Sequence, residues 1–127
     1  MRALLIIFVA CLFPGFAHAA DAPREIDFTQ VLRGPTGETL MARGDDGKLD
    51  PVTLGDVAAV ALDTDDDRNV DPKVKFERDQ LARKIYKNAH AILSPEDIAT
   101  IKARIGKIYG PAQIGATWPL LDPTLNK

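Results

Sequence analysis

The sequence predicts an α+β domain dominated by helix, with an N-terminal β-hairpin followed by three principal helices and a short C-terminal helical tail. Three observations carry that reading. Apolar residues recur at steps of three and four in three separate stretches between residues 53 and 109. Two of those stretches open on cap signatures, Thr53-Leu54-Gly55-Asp56 and Ser94-Pro95-Glu96-Asp97. Ahead of them, Ile26 to Met41 holds two strand-like runs separated by Gly34-Pro35-Thr36-Gly37.

The chain opens with an address and not with the fold. Met1-Arg2 gives a positive start, Ala3 to Phe13 an apolar run, Pro14-Gly15 a helix breaker and Ala17-His18-Ala19 a small-x-small cleavage site. The run is shorter than the roughly 20 residues that a membrane-spanning helix needs, and no second one follows. Residues 1–19 are expected to be a signal peptide, leaving 20–127 as one small domain in the periplasm or secreted. The alternative is a misassigned start and a cytoplasmic protein. The single cysteine, Cys11, lies inside the apolar run, so residues 20–127 can form no disulfide and depend on packing.

Residues 20–25 are polar and read as a leader. Ile26 to Leu32 and Glu38 to Met41 read as two strands joined through the Arg33 to Gly37 turn, and Arg43 to Pro51 as a polar loop. Thr53 caps a helix to about residue 63, with Leu54, Val57, Ala58, Ala61 and Leu62 on its apolar side. Asp63 to Pro72 is too acidic to pack and reads as a solvated loop. A longer helix is expected from Val74 to about Ala91, with Val74, Leu81, Ile85 and Ile92 on one face and Arg78, Arg83, Lys84 and Lys87 on the others. Ser94, with Pro95 at the first helical position and two acids after it, starts a helix to about Tyr109. Its core stripe is Ile98, Ile101, Ile105 and Ile108. Gly110-Pro111 ends it, and residues 112–121 add a turn or two, stopped by Pro119 and Pro123, with Trp118 as an anchor. No internal repeat is discerned.

Few residues of 20–127 suit catalysis. Ser94 is the only serine there and stands at a cap, His90 is the only histidine, and a zinc site needs several His or Cys ligands. The expectation is a non-enzymatic protein with no cofactor and no metal. Two acidic runs have partial calcium-loop order. In Asp45-Asp46-Gly47-Lys48-Leu49-Asp50 the closing glutamate is replaced by Thr53, and in Asp63 to Asp71 Arg68 stands where the turn glycine belongs. A weak calcium-binding module is therefore an alternative.

Charge is divided along the chain. Residues 20–72 carry 13 acids and 5 bases, a net of −8, whereas residues 73–127 carry 5 acids and 10 bases, a net of +5. The two parts either neutralise one another across a shared surface or leave a basic face of Arg78, Arg83, Lys84, Lys87, Lys102, Arg104 and Lys107 to bind an anionic partner. For an exported chain that partner is a protein or an anionic envelope component. Nucleic acid fits the charge but not the address, and no aromatic platform accompanies the bases.

The ordered segments Ile26-Asp27-Phe28-Thr29-Gln30, Gly34-Pro35-Thr36-Gly37, Thr53 to Val57 with Ala61-Leu62, Leu81 to Ile85, Leu93 to Ile98 with Ile101-Lys102, and Ile105 to Pro111 with Trp118 resemble a set of small phage and prophage proteins of unassigned activity. The resemblance covers nearly all of residues 20–127 and implies a phage-derived context. It supplies no catalytic or binding residue, and the export segment departs from it. The expected function is an exported binding or accessory protein that modulates an envelope component or partner protein. The alternative is a cytoplasmic phage accessory protein concerned with assembly or nucleic acid.

Overall fold

Helix α1 (Leu54–Asp63) is the centre of the molecule, burying Leu54, Val57, Ala58, Ala59, Ala61 and Leu62. Its alanines let neighbouring helices approach closely. Around it, in a computed structural model describing residues 22–126, lie α2 (Pro72–Lys87), α3 (Pro95–Ile108) and α4 (Pro111–Leu121), followed by a 3-10 turn at Pro123–Leu125. Strands β1 (Arg24–Asp27), β2 (Met41–Arg43), β3 (Leu49–Pro51) and β4 (His90–Leu93) form two small antiparallel sheets. The mainly helical α+β class holds. The expected signal peptide lies outside the described residues.

The helix starts follow their cap chemistry. Thr53 and Asp56 exchange side-chain and backbone bonds at the head of α1, and Ser94 and Asp97 do the same for α3. Asp71 caps α2 by accepting from the Lys73 N–H. The first amides of α1 are also met by backbone, with Leu54 N–H donating to Gln30 O and Gly55 N–H to Phe28 O, both at 2.9 Å. This joins the strand region to the central helix. The α3 stripe is core, with Ile98, Ile101 and Ile105 buried and Ile108 packed at its edge.

An N-terminal hairpin is present, β2 with β3, but its strands are not the ones expected. Ile26 and Asp27 belong to β1, which pairs with β4 in the register Arg24↔Leu93 to Asp27↔His90, and not with residues 38–41. The Gly34 to Gly37 turn does bring Arg33 opposite Thr39, but as a local bridge. Residues 43–51 are not a plain loop, since β2 and β3 form a hairpin there. The two turns share one design ten residues apart, Arg33-Gly34-Pro35-Thr36-Gly37 and Arg43-Gly44-Asp45-Asp46-Gly47, a short repeat unremarked in the sequence reading. In each, the second glycine's N–H donates to the first glycine's carbonyl, at 3.0 and 2.9 Å. The preceding arginine's Nη1 donates to the second glycine's carbonyl, at 3.2 and 2.6 Å. Gly37 and Gly47 take φ of 85° and 80°, the left-handed conformation that this turn requires and glycine adopts most readily.

A ring of three hydrogen bonds ties together the meander formed by residues 31–53. Leu32 N–H donates to Val52 O (2.8 Å), Val52 N–H to Leu40 O (2.8 Å) and Leu40 N–H to Leu32 O (2.9 Å). Leu32 is fully buried at its centre.

Two helix boundaries also differ from expectation. Helix α2 stops at Lys87, and residues 90–93 are β4, alternating exposed His90 and Ile92 with buried Ala91 and Leu93. Tertiary pairing with β1 decides between two periods that four residues cannot distinguish. The tail is a full helix, and Pro119 lies inside it. Pro119 sits in the last turn, near the end of the helix. Trp118 anchors α4 as expected, donating Nε1–H to Lys102 O at 3.2 Å. A Cβ at Gly106 would come within 3.3 Å of the indole, so the glycine makes room for the ring.

Candidate binding surfaces

Most of the seven expected binding cations are engaged inside the molecule. Arg104 is 7% exposed and lies on the buried side of α3. Its Nε donates to Ala61 O at 3.0 Å, and its Nη2 donates to Thr64 O at 2.9 Å and to Asp66 Oδ1 at 2.6 Å. Ala61 O belongs to the last turn of α1, where carbonyls lack helical partners. No basic residue occupies that turn, so Arg104 supplies from α3 the positive charge that a helix C-terminus favours. Lys107 adds contacts to Asp66 (3.2 Å) and Asp67 (3.3 Å), and Lys75 to Asp65 (2.6 Å).

The acidic loop is therefore clamped, not simply solvated. Hydrogen bonding from Arg104, supported by Lys107, lowers the Asp66 carboxyl from 3.8 to about 2. The Asn69 backbone N–H and then Lys107 hold Asp67 below its ordinary value, while the Asp66 and Asp67 carboxylates raise Lys107. Among the described residues no group of three or more His, Cys, Asp or Glu is placed to hold a metal ion. Of the carboxylates needed by the second calcium reading, Asp65 is engaged with Lys75 and Asp67 with Lys107. Those of the first lie around a glycine turn, with Asp46 Oδ1 accepting from Lys48 N–H at 2.9 Å.

The other cations divide further. Lys102 meets Asp122 at 3.1 Å and lies 5.0 Å from the Trp118 ring centroid. Asp122 is lowered to about 2, first by Thr124 and then by Lys102. Arg83 pairs with Asp79 at 2.6 Å and Lys84 with Asp97 at 3.9 Å. Lys87 is exposed. Arg78 does not lie on an outer face of α2 as expected: it is 6% exposed, on the same side as Leu81 and Ile85. Its spacing of three from Leu81 and seven from Ile85 carries that information in the sequence.

An apolar groove lies elsewhere, between the meander and the α1 and α3–α4 side of the molecule. It has a volume of about 550 Å³ and is lined by Leu40, Met41, Val52, Val57, Val60 and Tyr109 among others. Met41 and Val60 are 47% and 49% exposed, so the groove offers large apolar groups to solvent. Its charged lining is Arg43, Asp50 and Asp56. Arg43 is turned to the Gly47 carbonyl, whereas Asp50 forms no ion pair among the described residues. Burial, followed by the Asp56 charge, raises the Tyr109 phenol above its ordinary value. The sequence reading missed this groove because its walls come from separate chain segments and contain no common motif.

No family model matches the chain, and neither the curated proteins nor the solved structures contain a match.

Proposed function

We propose that this is a non-enzymatic accessory protein of phage ancestry, acting in the periplasm or beyond by binding a partner protein. The observation that carries the binding role is the groove with Met41 and Val60 exposed beside Tyr109. Its acidic groups, Asp50 and Asp56, complement a partner segment that offers an apolar side chain flanked by basic residues. The residue pattern of positions 1–19 supports export, and the segments from Ile26 to Trp118 support the phage connection. Among the described residues no helix is long and apolar enough to cross a membrane.

This reading moves the contact surface away from the basic residues. Five of them, Arg83, Lys84, Lys102, Arg104 and Lys107, already face carboxylates of the same chain. An anionic envelope component would have to compete with those pairs.

A photo-crosslinker placed at Met41, with the full reading frame expressed in cells, tests the groove. Capture of a discrete partner should be abolished by Val60→Glu and unaffected by Lys87→Glu, and the crosslinked peptide should be basic. Capture lost through Lys87→Glu but indifferent to Val60→Glu overturns the assignment. Intact mass from separated fractions tests location: a periplasmic species starting at Ala20 supports export, and a cytoplasmic species starting at Met1 refutes it.

A further inference from the structure

Arg78 is a buried cation that forms no ion pair among the described residues. It is 6% exposed, and its Nε is enclosed without a hydrogen-bond partner. Three neighbouring carboxylates pair elsewhere, Asp79 with Arg83, Asp65 with Lys75 and Asp97 with Lys84, and Asp63, which lines a second cavity beside Arg78, forms no ion pair with it. A guanidinium offers five donors in a rigid fork, and burying one without acceptors is costly. An acceptor brought by a ligand would relieve that cost.

The opening for such a partner is present. A cleft of about 510 Å³ between α2 and the first turns of α3 reaches Arg78, with Leu81 and Lys84 on one wall and Glu96, Asp97 and Thr100 on the other. Glu77 also lines it. Cationic and anionic side chains thus share one small space. Arg78 and Lys84 can receive an anionic group, with the Thr100 hydroxyl as a further donor. Glu96 forms no ion pair among the described residues, and Glu77 is met only by the exposed Lys73 at 3.9 Å, so both can receive an ammonium group.

We propose that this cleft binds a small zwitterion, an amino acid or the end of a short peptide, with its carboxylate on the Arg78 fork and its ammonium group toward Glu77 and Glu96. A planar carboxylate matches the fork in bidentate fashion. A phosphate dianion would bring a second negative charge among Glu77, Glu96 and Asp97, so a monoanion is favoured. The site is separate from the apolar groove and does not depend on it.

The test is a titration of the isotope-labelled full chain with L-alanyl-L-alanine, followed by amide and arginine Nε–H resonances. Dialanine should shift the Arg78 Nε–H and Thr100 N–H signals. Dialanine amide, without the carboxylate, and N-acetyl-dialanine, without the ammonium group, should each bind at least roughly 10-fold more weakly, the scale of one lost charged hydrogen bond. Arg78→Met should abolish binding while retaining an apolar stem. Lys84→Gln, at an exposed position, should weaken binding even if the Arg78 variant fails to fold, and Val60→Glu should leave it unchanged. Alanine binding as tightly as dialanine assigns the site to free amino acids, and dialanine alone assigns it to peptide ends. No shift with dialanine, tighter binding of inorganic phosphate, or undiminished binding by Arg78→Met or Lys84→Gln overturns the proposal.

Discussion

Replacing Arg104 with methionine should destabilise this protein more than replacing any other of its ion-paired cations. The substitution keeps an apolar stem on α3 but removes the donors to Ala61 O, Thr64 O and Asp66 Oδ1. Ala61 is fully buried, so water cannot readily replace the lost bond to its carbonyl. Two bonds to neutral acceptors and one to a carboxylate together come to about 3–5 kcal/mol. For a domain of this size that corresponds to a fall in Tm of roughly 15–25 °C. Urea unfolding followed by Trp118 fluorescence measures it, because that is the only tryptophan. A double-mutant cycle with Asp66→Asn then separates the ion pair from the helix-end contacts. If the contacts to α1 matter most, Arg104→Met will remain strongly destabilising in the Asp66→Asn background. A loss below about 1 kcal/mol in the single variant would refute the view that Arg104 closes α1 from a distance.

Acid should release the same clamp. Asp66 and Asp122 both titrate at about 2 in the folded chain against an ordinary 3.8, so their contribution is present above about 4 and disappears as the pH falls toward 2. Thermal scans should show Tm declining across that window, and less steeply in the Asp66→Asn and Asp122→Asn double variant. Alanine at Gly37 or Gly47 should cost about 1 kcal/mol in urea unfolding from left-handed strain alone, because nothing crowds the added Cβ at either site. Alanine at Gly115, within α4 and equally uncrowded, should instead stabilise by roughly 0.5–1 kcal/mol. Ser94→Ala should cost about 1 kcal/mol by opening the α3 capping box, measured by the same unfolding experiment.

Local chemistry made the helix starts legible. Thr53 with Asp56 and Ser94 with Asp97 act within four residues, so their signals survive without tertiary knowledge. The strand pairing was hidden because His90-Ala91-Ile92-Leu93 is compatible with a helical stripe or a strand, and its partner β1 lies more than 60 residues earlier. Composition revealed the charge division but not its use. That Arg104 meets Asp66 and Lys107 meets Asp67 depends on how α3 crosses the end of α1, a geometry no periodicity contains. Arg78 was the more readable case, since its place on the Leu81 and Ile85 stripe already set it facing inward. The groove was not readable from any single stretch, because Met41, Val60 and Tyr109 meet only after three elements have packed.

The hydrogen-bond ring through Leu32, Leu40 and Val52 implies an order of assembly. Its links span 8, 12 and 20 residues, whereas the shortest β1–β4 pairing, Asp27 with His90, spans 63. Closing that longer loop costs about 2 kcal/mol more chain entropy than closing the shortest link of the ring. During synthesis the ring can close once residue 52 is available, while β1 must wait for residue 93. The first strand of the sequence is thus among the last to be secured, and its unpaired edge is the part of the nascent chain most open to mispairing.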